Sequence, residues 1–251
     1  MGLMKTAIVT LFPELVDGFL TTGVLGRAVR DGRLECARFN PRNYAHDARK
    51  TVDDRPFGGG AGMVMMVEPL GEAVSAARSA VPEGAPVVFL SPQGERFDHR
   101  IAAELAALEG FVLVAARYEG VDERFVERHV DRELSIGDYV LSGGELAALV
   151  VLDSAVRLLP GVVGNPDSIT RESHVDGLLD YPQYTRPETH TTGRTPEVLL
   201  SGNHGAVATW RKREALGRTW LRRPDLLLDR ELGEDDRALL ASYIRDTAGA
   251  S

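Results

Sequence analysis

Short apolar runs alternate, along the first part of the chain, with stretches whose apolar positions recur at helical spacing. The apolar runs predict β-strands over residues 5–11, 87–90 and 111–116, and the alternation of residues 34–40 predicts another. The stretches between them predict helices after Pro13, over residues 70–80, from Asp98 through Leu108, and from Asp122. Strands that alternate with helices in this way predict an α/β domain built on a mostly parallel sheet.

A glycine-rich loop precedes the most apolar helix pattern of the chain. Residues 135–145 (SIGDYVLSGGE) contain three glycines, and apolar residues then recur at helical spacing from Leu146 to Leu159. Ser142 and Glu145 have the spacing of a capping box, which predicts a helix start there. Glycine lets a ligand approach the unpaired N–H groups of a helix N-terminus, so the loop suits a small polar ligand. An ordinary strand–turn–helix corner has the same pattern.

Three loops are expected at the carboxyl ends of strands: residues 91–94, 117–120 and 136–144. In open α/β sheets, ligands bind outside the carboxyl ends of the strands. We therefore expect a ligand site where these three loops meet. A further charged loop, residues 40–62, ends in a glycine run and is typical of either a functional hinge or a disordered segment.

The character of the sequence changes after Gly161. Residues 162–175 (VVGNPDSITRESHV) are polar and contain Gly, Asn and Pro, which predicts a linker. Helical patterns return over residues 206–216, 218–221 and 235–245. We predict a catalytic and cofactor-binding domain over residues 1–161, a flexible linker over 162–174, and a small, mainly helical domain over 175–251.

Composition places the chain among ordinary globular proteins. It has 251 residues, of which 43% are hydrophobic, and a single cysteine, Cys36, so an intrachain disulfide is excluded. No apolar run approaches the roughly 20 residues of a transmembrane helix, and the N-terminus lacks the layout of a signal peptide. We expect a cytoplasmic protein with no membrane contact.

The net charge of −8 argues against a nucleic-acid partner, but the charge is unevenly distributed. Residues 209–224 carry six basic side chains against Glu214 alone, a local charge of +5, and include Trp210 and Trp220. A basic patch with aromatic residues can bind a phosphate backbone. A solvated helix face with its tryptophans in a core would have the same pattern, and the sequence pattern alone favours neither.

Several common catalytic motifs are missing from the sequence. It contains no G-x-G-x-x-G after a strand, no G-x-x-x-x-G-K-[ST] and no G-x-S-x-G, which leaves nicotinamide binding, phosphate-loop NTPases and α/β-hydrolases unsupported. The six histidines are scattered, and no Cys/His pairing is present. We predict no metal site.

Several longer motifs resemble one family when they are taken together and in order. They are SIGDYVLSGGE at residues 135–145, SPQG at 91–94, RYEGVDE at 117–123, TVDDRPFGGG at 51–60, YTRP at 184–187, LSGNH at 200–204 and RTWLRRPDL at 218–226. The chain resembles, over nearly its whole length, the bacterial tRNA (guanine-N1)-methyltransferases of the SPOUT superfamily. The resemblance implies a SPOUT-type sheet with a trefoil knot at the carboxyl end of its domain, a homodimer, and a helical C-terminal domain that helps to hold tRNA. It also implies methyl transfer from S-adenosylmethionine to N1 of guanosine at position 37 of tRNA, beside the anticodon.

The resemblance also implies which residues bind the cofactor, mainly through backbone groups of the three loops. These are Pro92, Ala116, Tyr118, Glu119, Gly120, Ile136, Gly137, Asp138, Tyr139, Val140, Leu141, Gly143 and Gly144. Ala116 stands where the family commonly has glycine, so close backbone approach is less free there.

Methyl transfer to guanine N1 needs a base for the N1 proton and a cation for the charge that develops on O6. By resemblance the base is Glu172, where the family has aspartate, and the cation is Arg157, with Asp153 four residues before it. Asp167 is the second candidate for the base. A linker that carries the base is expected to become ordered when tRNA binds. The alternative function is a non-catalytic RNA-binding protein of the same fold, and the presence of Arg157 and a carboxylate at position 172 favours the enzyme.

Overall fold

The computed structural model describes residues 2–170, 172–228 and 230–249, without the side chains of Pro166 and Asp167. The chain divides into two compact units, Met1–Pro166 and Asp167–Ser251. This division falls within the stretch predicted as a linker. Among the described helices, none is long and apolar enough to cross a membrane.

The first unit alternates strands and helices. Its strands are β1 (Met4–Val9), β2 (Leu34–Phe39), β3 (Asp53–Asp54), β4 (Val64–Met65), β5 (Val87–Arg96), β6 (Gly110–Val114) and β7 (Arg132–Ser135). Its helices are α1 (Pro13–Leu20), α2 (Gly23–Arg30), α3 (Val67–Arg78), α4 (His99–Ala106), α5 (Glu123–His129) and α6 (Glu145–Val156), with a short 3-10 helix at Pro41–Tyr44.

Five of these strands form one parallel sheet in the order β2-β1-β6-β5-β7. Parallel strands need crossover connections, and helices supply them here. The prediction of an α/β domain with a mostly parallel sheet is therefore confirmed. The carboxyl ends of β5, β6 and β7 lie at the same edge because all three strands run in the same direction. The trefoil knot stays a prediction.

Both faces of the sheet are buried, as expected when helices cover a parallel sheet on both sides. Side chains alternate between the two faces: Ile8 packs into a core with residues of α1, α2, α4 and α6, whereas Ala7 and Val9 pack into a core with α3 and α5. The centre of β6 is completely buried, from Phe111 to Val114. This continuous apolar run is why the strand was readable in the sequence.

Several elements of the first unit differ from the prediction. Helix α2 was not predicted. Strand β7 was not predicted either, because its residues Arg132–Ser135 are few and mostly polar. Strand β5 does not end at residue 90: it continues to Arg96, with a register shift between Leu90 and Glu95. Residues 91–94 therefore bulge out of a longer strand rather than follow its end.

The capping box predicted at Ser142 and Glu145 is wrong. Helix α6 begins at Glu145 with Gly144 as its N-cap, and no side chain caps it. The Glu145 side chain is turned into the protein and is 1% exposed. The helix also ends at Val156, before the predicted helical pattern ends at Leu159.

The second unit is mainly helical, with α8 (Glu197–Leu200), α9 (His204–Arg222), α10 (Asp225–Leu228), α11 (Glu234–Ala248) and the short strands β8 (Thr189–His190) and β9 (Gly193–Arg194). A further short helix, α7 (Pro166–Thr170), lies at the boundary of the two units. The two helices predicted over residues 206–216 and 218–221 form the single helix α9. Its fully buried side chain Leu216 packs with Leu178 and Ala215 and with partly buried leucines such as Leu239 and Leu240 of α11.

Candidate active site

The three predicted loops line one cavity of about 340 Å³ at the carboxyl edge of the sheet. Residues 91–93 come from the bulge of β5, residues 116–121 follow β6, and residues 136, 137, 139–141, 143 and 144 lie between β7 and α6. The structure thus brings together the loops that sequence reasoning placed at one edge. All of the predicted cofactor-binding residues line this cavity except Asp138.

The loop after β6 has an unusual backbone. Tyr118 has a φ of 63° and Gly120 a φ of 138°, and a left-handed conformation is uncommon for a residue with a side chain. Two backbone hydrogen bonds hold the turn: Glu119 N donates to Met63 O at 3.0 Å, and Met65 N donates to Gly120 O at 2.9 Å. The strained turn is therefore supported by the segment around β4.

The phenol of Tyr118 is a hydrogen-bonding group of a residue that lines the cavity. Arg42 Nη2 donates to its oxygen at 3.3 Å. Partial burial, followed by the charge of Asp53, raises the pKa of Tyr118 above its usual value. Tyr118 consequently stays a neutral phenol in the physiological pH range.

The loop after β7 is held mainly by its own residues. The Ser135 hydroxyl and Gly137 are joined by two hydrogen bonds of 3.2 and 3.3 Å. Tyr139 N donates to Gly137 O at 2.9 Å, and the Tyr139 hydroxyl donates to Ile136 O at 3.3 Å. Gly137 has a φ of 145°, which side-chain-bearing residues rarely adopt, so this turn requires glycine.

The second and third loops touch through backbone atoms. Gly144 N donates to Ala116 O at 2.8 Å, and Arg117 and Gly143 form an isolated antiparallel bridge. A Cβ atom at Gly144 would lie 2.8 Å from the Cα atom of Ala115. The glycine pair therefore allows the two loops to approach at backbone distance.

A buried ion pair lies behind this contact, and the sequence pattern does not single it out. Arg117 Nε lies 3.1 Å from Glu145 Oε1 and 2.9 Å from Oε2, and Thr10 Oγ1 donates to Oε1 at 2.9 Å. Thr10 is 135 residues from Glu145 in the chain, so only the fold shows that they are partners. The presence of glutamate within a glycine motif was the available signal, but the capping-box spacing suggested another role.

Charge in the cavity wall favours a cationic ligand. Glu119, Glu123 and Glu133 line the cavity, whereas the lining Arg117 is already paired with the buried Glu145. Apolar lining residues, among them Pro92, Ile136, Leu141 and Ala147, stand beside these carboxylates. A mixed apolar and carboxylate lining suits an aromatic ligand that also carries positive charge.

Comparison with known families agrees with this geometry. The family model described as tRNA (Guanine-1)-methyltransferase TrmD matches residues 4–229 of the chain. The tRNA (guanine-N(1)-)-methyltransferase of Halorhodospira halophila is 56% identical over 239 residues, which cover 95% of this chain and 90% of that protein. The proteins of the same name from Pseudomonas syringae pv. tomato and Pseudomonas putida strain W619 are 51% and 50% identical over 246 residues, each covering 98% of both chains.

The chain belongs to the tRNA (guanine-N1)-methyltransferase family.

In this tRNA (guanine-N1)-methyltransferase, the predicted base, Glu172, and the predicted cation, Arg157, lie in different units. Arg157 is the C-cap of α6 in the first unit, is half-buried, and its backbone N–H donates to Asp153 O at 3.0 Å. Glu172 is half-buried in the second unit, where it lines a cavity with residues such as Leu178 and Lys212. Asp167 is the first residue of that unit, and its side chain lies outside the described part.

Three of the six basic residues in the patch of this tRNA (guanine-N1)-methyltransferase pair with acids within the second unit. Lys212 pairs with Asp176 and Asp236, Arg213 with Glu214 and Asp246, and Arg223 with Asp225. Arg222, at the end of α9, is exposed and makes no ion pair within the described part of the chain. The local charge of +5 therefore overstates the basic surface, because acids distant in sequence fold against it.

Proposed function

We propose that the protein transfers a methyl group from S-adenosylmethionine to N1 of guanosine at position 37 of tRNA. The observation that carries this proposal is the three-loop cavity at the carboxyl edge of the sheet, in a chain that belongs to the tRNA (guanine-N1)-methyltransferase family. The names of relatives at 50–56% identity support the tRNA substrate and the N1 position.

The cavity residues fit the methyl donor. Its volume of about 340 Å³ lies in the range of small-molecule sites. Apolar side chains offer a surface for the adenine ring, and loop backbone groups can bind the polar edges of the nucleoside. The carboxylates of Glu119, Glu123 and Glu133 favour a ligand with a sulfonium and an ammonium group. When bound, S-adenosylmethionine would supply an activated methyl group.

The residues of the chain would supply the proton chemistry. Guanine N1 carries a proton at neutral pH, so a carboxylate must remove it as the methyl group is transferred. We assign this role to Glu172, with Asp167 as the second candidate. Arg157 would stabilise the negative charge that develops on guanine O6. Both assignments come from the family resemblance.

The second unit would bind tRNA. Among the basic side chains of residues 209–224, that of Arg222 is the most exposed. Replacing Arg222 with alanine should weaken tRNA binding and reduce the slope of log K against log salt by about 0.7–0.9 for each phosphate that is no longer neutralised. Titrations of labelled tRNA at several salt concentrations measure both quantities.

Arg223→Ala is the matched control, because Arg223 already pairs with Asp225 at 2.7 Å. This second variant should change the salt slope less. If the Arg222 variant keeps the wild-type slope, Arg222 is an ordinary surface charge.

A homodimer is also proposed, and the exposed apolar surface of the first unit supports it. Leu15 and Phe19 of α1 are 46% and 52% exposed, and Leu146 and Val150 of the neighbouring α6 are 55% and 44% exposed. Contiguous exposed apolar side chains are typical of a subunit interface. Light scattering should give twice the chain mass of 27.3 kDa, and a mass of one chain would contradict the dimer.

The activity itself is tested with tritium-labelled S-adenosylmethionine and unmodified tRNA. We expect label to enter tRNA that carries guanosine at position 37 and not tRNA with another base there. Incorporation that is independent of that base would overturn the proposed target.

A further inference from the structure

Glu145 is a buried carboxylate whose partners come from distant parts of the first unit. It is 1% exposed, and its Oε1 atom accepts hydrogen bonds from Thr10 Oγ1 at 2.9 Å and Arg117 Nε at 3.1 Å. Oε2 lies 2.9 Å from the same Nε but makes no hydrogen bond to any residue that the structure describes. A buried charge is costly unless it is paired, so this carboxylate depends on Arg117.

Arg117 connects that carboxylate to the cavity wall. Its Nη1 donates to Ser142 O at 3.2 Å, and its guanidinium carbon lies 4.4 Å from the centre of the Phe12 ring. The Arg117 side chain is 21% exposed, and the residue lines the cavity. One guanidinium thus touches the segment after β1, the loop before α6 and the first residue of that helix.

The position of this guanidinium fixes the spacing of two cofactor loops. Arg117 follows Ala116, whose carbonyl accepts the hydrogen bond from Gly144 N, and a Cβ atom at Gly143 would overlap the Arg117 side chain. The contact therefore holds the loop of residues 116–121 against residues 142–144. Both loops line the cavity, so displacing Arg117 would change its shape.

We infer that Glu145 is a positioning residue for methyl transfer, which acts through Arg117 to keep these two loops closed on S-adenosylmethionine. The inference rests on the proposed function. If the inference is right, changing Glu145 or Arg117 weakens cofactor binding and leaves the rate of the chemical step unaltered, because neither side chain is assigned to remove the proton from guanine N1. A general loss of stability would not change binding and leave the chemical rate intact.

The principal test is Glu145→Gln in the full-length protein. Glutamine keeps the size of the side chain and an acceptor for Thr10, but removes the negative charge beside Arg117. We expect the Kd of S-adenosylmethionine, measured by calorimetry, to rise by about tenfold, while kcat at saturating cofactor stays within about twofold of wild type. Glu214→Gln, which removes the carboxylate paired with Arg213 at 2.7 Å in the second unit, is the matched control and should bind the cofactor normally.

Two further variants separate positioning from stability. The single variant Glu145→Gln leaves the charge of Arg117 without its carboxylate partner. The double variant Glu145→Gln with Arg117→Met removes that charge too, so its thermal stability should be higher than that of Glu145→Gln. Cofactor affinity should stay low, because methionine cannot replace the guanidinium that donates to Ser142 O. Arg117→Lys keeps the charge but has a single donor nitrogen, so it should fold and bind the cofactor several-fold more weakly than wild type.

Three results would overturn the inference: wild-type cofactor affinity in Glu145→Gln, recovery of affinity together with stability in the double variant, or wild-type affinity in a folded Arg117→Lys protein. A wild-type protein that binds no S-adenosylmethionine would overturn the proposed function itself, and the positioning role with it.

Discussion

Replacing Glu172 with glutamine is expected to lower the rate of methyl transfer by about 10²-fold or more and to leave the affinity for S-adenosylmethionine unchanged. Glutamine has nearly the same shape as glutamate but cannot accept the N1 proton of guanine. Single-turnover transfer of labelled methyl to tRNA measures the chemical step, and calorimetry measures cofactor binding.

Two control variants make this result specific. Glu172→Asp restores the residue that the family has at this position, and it should retain most of the activity because a carboxylate remains. Asp167→Asn should be nearly as active as wild type. If Glu172→Gln is active and Asp167→Asn is not, the base is Asp167.

A methyl group added at Gly144 is expected to separate the two loops that touch through their backbones. Its Cβ atom would lie 2.8 Å from Ala115 Cα and 3.1 Å from Ala116 N, and backbone atoms cannot turn away as a flexible side chain can. We expect Gly144→Ala to cost about 1–3 kcal/mol of stability and to abolish measurable cofactor binding at ordinary ligand concentrations. Thermal unfolding with and without S-adenosylmethionine tests both effects.

Gly164→Ala is the control for that experiment, since no atom that the structure describes lies within 4 Å of a Cβ atom added at Gly164, and its φ is not positive. It should unfold at nearly the wild-type temperature and keep the stabilisation by the cofactor. A Gly144→Ala protein that is stabilised by S-adenosylmethionine as strongly as wild type would show that the loops can move apart without harm.

The place of the site could be predicted from the sequence because it depends on local patterns. The runs that form β1, β5 and β6 are apolar enough to be recognised, and β2 has a recognisable alternation. Parallel strands bring their carboxyl ends to one edge of the sheet. Strand β7 could not be predicted, because its four residues, RELS, are mostly polar. The glycines of the loop that follows it nevertheless predict the loop.

The partners of charged residues could not be predicted, because they depend on distant contacts. Glu145 has the spacing of a helix cap, and its true partners, Thr10 and Arg117, lie 135 and 28 residues away. Likewise Arg213 pairs with Asp246 of α11, which lies 33 residues further along the chain. The net charge of a sequence segment therefore does not give the charge that the folded protein exposes there, because the packing of α9 against α11 pairs some of the basic side chains with acids.

The small hydrophobic core of the second unit affects which part of the chain unfolds first. Its buried apolar side chains within the described residues are Leu178, Ala215 and Leu216, whereas both faces of the parallel sheet are lined with fully covered aliphatic groups. Local unfolding costs less free energy where less apolar surface is sequestered. Proteolytic cleavage and exchange of amide protons for deuterium should accordingly begin in residues 167–251 and reach the strands of the sheet last.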